Sequence, residues 1–210
     1  MTTRSRLVGP GAIIGLAAAV ALAVVFASRS DAGQRTVPTV VPAIAAFQTG
    51  TPATLPDQLA QVARDTPGGI DDTRVRTVAT DLGRFHSTLQ LFPSTSGALL
   101  CTALVGATPA DPSMSYCLEP NAPDNPASIR DRPFNAVALY SAVDSKPGIQ
   151  VFGFAFDTVV SLRARVAGSW QPIGVRNNGF YLDLPGAALG SVTEVEATLA
   201  EGSTQTQTIR

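Results

Sequence analysis

Two cysteines, Cys101 and Cys117, one histidine, His86, and a thin scatter of carboxylates carry the reactive chemistry of this chain. A structural zinc site takes about four nitrogen or sulfur ligands, so this set does not predict a metal centre. An even pair of cysteines predicts one disulfide, Cys101–Cys117. Closing a loop of about 15 residues stabilises a fold by about 3 kcal/mol in the chain-entropy model. Both thiols are then consumed, which removes the cysteine nucleophile. His86 alternates with Phe85 and Ser87, so it falls on the polar face of a strand and meets solvent. Serine-hydrolase elbows, zinc-protease helices, calcium loops, phosphate loops and dinucleotide glycine motifs are all absent from the sequence. Carboxylate-pair hydrolysis stays open, because it requires only that two acids meet in space about 5 to 9.5 Å apart. Asp71, Asp72, Asp81, Asp157 and Asp183 are the candidates. Asp71 and Asp72 follow Gly68-Gly69 and read as a solvated turn, while Asp183 alternates outward between Leu182 and Leu184. Sequence therefore assigns no catalytic, cofactor-binding or metal-binding residue, and no cofactor.

Those residues are preceded by an uncharged stretch from Leu7 to Ala27, itself preceded by Arg4 and Arg6. At a helical rise of about 1.5 Å this stretch spans roughly 30 Å, the hydrocarbon thickness of a bilayer. It is longer than the core of a cleaved signal, about 7 to 15 residues, and Ser30-Asp31-Ala32 is a poor processing site. A retained signal-anchor is expected, with secretion after cleavage as the alternative. Arginines flank the segment equally, with Arg29 and Arg35 on the far side, so orientation rests on the cysteines, which belong in an oxidising compartment. The expected topology is residues 1–6 in the cytoplasm, 7–27 in the membrane, 28–54 as an extended spacer and 55–209 as an extracytoplasmic domain. Gly11 and Gly15, continued by Ala19 and Ala23, offer a small-residue face for contact with another helix. Whether that face makes a homo-oligomer is left open, since alanine lines every side of the segment.

Charge is nearly balanced, with 15 basic against 16 acidic side chains, and the arginines are scattered. That excludes a nucleic-acid footprint. Leu55, Leu59, Val62 and Ala63 recur at helical spacing and predict a short helix over 55–64. Beyond Asp72 the period becomes two. Phe85, Ser87, Leu89 and Leu91 form one apolar file, and Val160, Leu162, Ala164 and Val166 another, each reading as a half-buried strand. Leu99 to Val105 is apolar on both faces and predicts a central strand carrying Cys101. Ala167-Gly168, Asn178-Gly179 and Glu201-Gly202 predict hairpin turns, and the proline-rich stretch 118–133 predicts an irregular loop, either a contact surface or a plain connector between two halves of the sheet system. Arg163 and Arg165 are expected to pair across strands with Glu194 and Glu196, and Trp170 is a core candidate. The fold class is mainly β: an antiparallel, sandwich-like domain after the anchor, the spacer and one short helix.

The run from Phe134 to Tyr140, then Val151-Phe152-Gly153-Phe154 through Trp170 and Asn177 to Leu184, resembles uncharacterised single-pass or exported β-rich proteins of actinobacteria. That resemblance implies compartment and strand content, and no activity. The expectation is a non-enzymatic envelope module that binds another envelope protein or a wall component. An anchored carboxylate-dependent hydrolase and an auxiliary subunit of a membrane complex are the alternatives. Retention has a direct check: after alkaline extraction of membranes the chain should stay in the pellet with residues 1–27 intact by mass spectrometry, whereas a soluble chain beginning after Ala32 would show cleavage.

Overall fold

Alternation with a period of two lets one strand serve two cores, and the strand Gly148–Ala155 of this chain does so. The computed structural model describes residues 44–59, 69–97, 99–118, 133–142 and 147–209. The tail, the anchor with Gly11, Gly15, Ala19 and Ala23, residues 28–43 and 60–68, and most of the proline-rich loop lie outside the described residues. Among those described, no helix is long and apolar enough to cross a membrane.

The described chain is mainly β, in three antiparallel sheets with one short α-helix. The first sheet is a meander in chain order: β1 (Thr51–Pro52), β2 (Arg76–Leu82), β3 (Ser87–Pro93), β4 (Leu100–Val105) and β5 (Met114–Leu118). The rest is four hairpins dealt alternately to two further sheets. The pairs β6 (Phe134–Ser141) with β7 (Gly148–Ala155) and β10 (Val175–Arg176) with β11 (Gly179–Pro185) make the second sheet, ordered β10-β11-β7-β6. The pairs β8 (Val159–Val166) with β9 (Ser169–Ile173) and β12 (Val192–Leu199) with β13 (Thr204–Thr208) make the third, ordered β13-β12-β8-β9.

Ile149, Val151 and Ala155 of β7 join Leu162, Ala164, Val195 and Ala197 of the third sheet in one core. The intervening Phe152 and Phe154 join Val78, Leu89, Leu91, Leu100 and Leu104 of the first sheet in another. Every residue of β7 is therefore buried, and the second sheet is covered on both faces. A third cluster, with Phe92, Cys101, Ala103 and Val105, occupies the opposite face of the first sheet beneath Leu59 and Val75. This cover explains why β3 is not half-buried as its alternation predicts: Gln90 and Phe92 are enclosed as well as Leu89 and Leu91, and Gln90 Nε2 donates to Thr54 O at 3.3 Å. β4 is buried along its whole length, and Cys101 faces Cys117 directly across β4 and β5 at disulfide distance, Cα to Cα 4.0 Å.

Part of the stretch read as spacer belongs to the fold. Ile44, Ala46 and Phe47 are buried in the core between the first and second sheets, helix α1 spans Ala46–Thr49, and β1 pairs with β2. Alanine and proline gave this segment no sustained period, so its few large apolar groups were invisible as an element. Where a helix over 55–64 was expected, the described part is a 3-10 turn, Asp57–Leu59, opened by Pro56 as its carbonyl accepts from Leu59 N at 2.9 Å.

Hairpin turns obey the left-handed geometry that two-residue connections need. Ala167 and Gly168 have φ of 47° and 84°. The next turn sits one residue earlier than read, at Asn177-Asn178 with φ of 47° and 64°, because Arg176 pairs with Gly179. Gly179 is instead the first residue of β11, where a β-carbon would meet Val78 Cγ2 at 2.5 Å and Leu89 Cδ2 at 2.8 Å. Val160 departs from its file and is exposed, because the β8–β12 register shifts between Thr198 and Leu199. At the free side of β6, the Gln207 side chain lies against the backbone of Ala136: Ala136 N donates to Gln207 Oε1 at 2.9 Å and Gln207 Nε2 donates to Ala136 O at 2.8 Å.

The close approach at Gly179 is measurable. Gly179→Ala should cost about 1–3 kcal/mol through overpacking, while Gly174→Ala, where an added carbon meets nothing within 4 Å, should stay within about 0.5 kcal/mol. Paired thermal melts check this, and equal melting points would contradict the packing described.

Candidate functional site

Asp183 lies on the covered face of β11, not in solvent. Leu182 and Leu184 take the face toward the third sheet, which turns Tyr181 and Asp183 toward the first. Outward placement assumed a sheet with one wet face, and the second sheet has none. A 3-10 turn, Gly83–Phe85, connects β2 to β3 and delivers Arg84 to this face. Arg84 N donates to Asp183 Oδ2 at 2.9 Å, and Nη1 stands 3.0 Å from Oδ1. The two side chains are only 11% and 14% exposed, so their charges are largely desolvated. Gly83 has φ of 57°, and a β-carbon there would collide with the Tyr181 hydroxyl. Tyr181 Oη donates to Gln150 Oε1 at 3.0 Å. Burial, and secondarily the Asp183 charge, push the Tyr181 hydroxyl well above the usual phenol range, with Arg84 partly opposing. Arg84 with Asp183 and Tyr181 with Gln150 thus pair within this junction, which suits a clamp between sheets, while Arg84 Nε and Nη2 and Gln150 Nε2 are buried without a hydrogen bond among the described residues.

The remaining carboxylates have separate local tasks. Asp71 caps the 3-10 turn Asp72–Arg74, accepting from Thr73 N at 3.2 Å and Thr73 Oγ1 at 2.6 Å, with Arg74 Nε at 3.4 Å. Asp72 is exposed in that turn. Asp81 and His86 form a solvent-facing pair, Oδ1 to Nδ1 2.6 Å, both in left-handed backbone. Asp157 Oδ1 accepts from Asn178 Nδ2 at 2.7 Å and from Ala45 N at 3.4 Å. Among the described residues no two of the five candidate acids share a partner, and no group of three or more His, Cys, Asp and Glu is placed to hold a metal ion.

The outer face of the third sheet is different in kind. Its inward file, with Leu162, Ala164, Val195 and Ala197, fills the core, so the alternate residues form a grid on the far side. One row across the strands is Thr208, Glu194, Arg165, Trp170, and the next is Thr206, Glu196, Arg163, Pro172. A third continues with Thr204, Thr198 and Ser161. The cross-strand pairs expected from sequence are present: Arg163 Nη2 to Glu196 Oε1 is 2.7 Å and Arg165 Nη1 to Glu194 Oε2 is 3.1 Å. Such exposed pairs add little stability, about 0–1 kcal/mol, but they hold four long side chains in place. Trp170 belongs to this grid and not to a core. It is 37% exposed, with Arg163 Cζ 4.6 Å and Arg165 Cζ 6.0 Å from its ring centroid.

Known proteins do not supply a reading of this face. No family model matches the chain, and neither the curated proteins nor the solved structures return a match.

Sequence reasoning found the four charged residues of the grid and missed Trp170 and the threonine file. The available signal was Thr204-Gln-Thr-Gln-Thr208, a strand with no apolar file at all, which marks the border of the sheet.

The buried clamp yields a double-mutant test. Arg84→Met should cost about 3–5 kcal/mol by leaving Asp183 buried and unpaired, and Arg84→Met with Asp183→Leu should recover most of that loss. Urea unfolding followed by circular dichroism checks it. A double variant no more stable than the single one would mean that the charges do not act as a pair.

Proposed function

We propose that this chain is a non-catalytic binding module of the cell envelope, anchored by residues 7–27 with its N-terminus inside and its β domain outside, and that the outer face of the third sheet is its contact surface. The observation that carries this reading is the exposed Trp170, held against two arginines on edge strand β9 of a mostly polar strand face. A large aromatic ring left 37% exposed forfeits part of the free energy of its burial, so its placement favours a partner that covers the rest. Support for the compartment comes from the cysteine pair at disulfide distance, a bond that persists where the surroundings are oxidising. The hydrolase alternative gains nothing from Asp71, Asp81, Asp157 and Asp183, whose oxygens are engaged by a turn, a histidine, an asparagine and an arginine in four different places, nor from Asp72, which is exposed beside Asp71.

Photo-crosslinking in intact membranes tests the assignment of the surface. A photoreactive residue in place of Ser161 or Thr206, both on the grid, should yield a discrete adduct, while one in place of Ala110, an exposed position before Asp111, should yield none. Adducts from the Ala110 position alone, or from no position, would overturn it.

A further inference from the structure

We infer that the outer face of the third sheet binds an uncharged polysaccharide, laid across β12, β8 and β9, with the part of the Trp170 ring that the arginines leave uncovered as its apolar contact. The inference rests on the binding-module reading above and adds the chemistry of the partner. Three observations lead to it.

The first is charge. The grid carries Arg163 and Arg165 against Glu194 and Glu196, each arginine within 3.1 Å of a glutamate oxygen. The field above the face is therefore close to neutral, and a polyanion would have to break these pairs to be held. Nucleic acids and acidic lipid surfaces are recognised by unpaired clusters of basic side chains, which this face does not present.

The second is polarity. A protein partner is held by an apolar, charge-depleted centre surrounded by a polar rim. Here the charged residues are central, with hydroxyls toward β13 and in the next row, Ser161, Thr198, Thr204, Thr206 and Thr208, and Trp170 and Pro172 toward β9. The one large apolar body on the grid is Trp170. A chain of sugar rings has the complementary pattern, with C–H faces that stack on an aromatic ring and hydroxyl edges that donate to carboxylates and accept from guanidinium groups and hydroxyls.

The third is order and shape. Arg163 contacts Glu196 Oε1 through both Nε, at 2.8 Å, and Nη2, at 2.7 Å, while its guanidinium lies over the Trp170 ring. Side chains already fixed in place lose little entropy on binding, which favours a ligand held by several modest contacts. Strands about 4.8 Å apart make each four-residue row about 15 Å long, enough for several sugar rings but far more than one needs. The face is a sheet surface and not a cleft, so a long chain should bind and a monosaccharide should not.

Trp170 is the only tryptophan of the chain, so its emission reports on this face alone. The full-length protein in a zwitterionic detergent without a sugar headgroup is titrated with hexamers of glucose, mannose and N-acetylglucosamine, and with the three monosaccharides. A saturable change in Trp170 emission with at least one hexamer and none with the monosaccharides is expected. Co-sedimentation with the matching insoluble polysaccharide should weaken about tenfold in Trp170→Ala, the equivalent of about 1.4 kcal/mol, and also in Arg163→Ala, with unchanged circular dichroism. The adduct formed from the Ser161 position in membranes should collapse on glycosidase digestion and survive protease directed at a protein partner.

No emission change with any hexamer and equal sedimentation of wild type and Trp170→Ala would overturn the glycan inference. If the Ser161 adduct still forms but yields to protease and not to glycosidase, the partner is a protein: the glycan inference falls and the binding-module reading stands. If no adduct forms from the grid, both fall.

Discussion

Covering the second sheet on both faces is the constraint from which the rest of this structure follows. A strand in such a sheet has no solvent side on which to place a polar group, so β7 is apolar in both of its files except at Gln150. Polar side chains that remain on the sheet are costly to leave without partners inside, and two of its buried amide groups, Asn135 Nδ2 and Gln150 Nε2, make no hydrogen bond among the described residues. Gln150 takes the Tyr181 hydroxyl, and Asp183 takes Arg84 from the neighbouring sheet. Asn178, in left-handed backbone at the β10–β11 turn, accepts from Ala46 N at 2.8 Å through Oδ1 and donates to Ala155 O at 2.9 Å through Nδ2. Its amide thus joins the helical segment at the start of the described fold to the end of β7. The same demand brings residues 44–54 into the domain, since without Ile44 and Phe47 the core between the first and second sheets would be open.

By contrast, the third sheet is covered on one face only, and apart from Val160 β8 and β12 send apolar residues in and charged or hydroxyl residues out. This difference explains why the buried charges and the exposed charges play unlike parts. Arg84 and Asp183 sit where water is scarce and removal of either is costly, so they hold the first sheet to the second. Arg163, Arg165, Glu194 and Glu196 sit where water screens them, so their contribution is geometric. Guanidinium–carboxylate pairs therefore divide into a clamp and a surface.

Much of the fold is legible in the sequence, and the parts that are not share a physical cause. The period-two files locate β3, β8 and β11, the small-residue turns locate the hairpins, and the doubly apolar Leu100–Val105 locates a strand buried on both faces. Alternation states that two faces differ without stating what covers each, and both misplacements of site residues arise there. Asp183 reads as outward because its neighbours are leucines, yet its face is closed by the first sheet. Trp170 reads as core because it is large and apolar, yet its position opposite Arg165 puts it on the wet side. Neither the β8–β12 shift that expels Val160 nor the one-residue offset of the Asn177-Asn178 turn leaves a local trace, because each is decided by pairing with a distant strand. The charged part of the surface was readable for the opposite reason: Arg163 and Arg165 with Glu194 and Glu196 are regular, and regularity is what a local pattern records.

At the free side of the second sheet, the amide of Gln207 occupies the donor and the acceptor of Ala136 at once, in the manner of one residue of a neighbouring strand. An uncovered edge recruits further strands, from ligands or from other molecules. Here the position is already taken by a side chain of β13, which folds with the same domain. The edge is in this sense stoppered at Ala136: crowding many such domains side by side would bring their borders together without giving the backbones at Ala136 anything to zip.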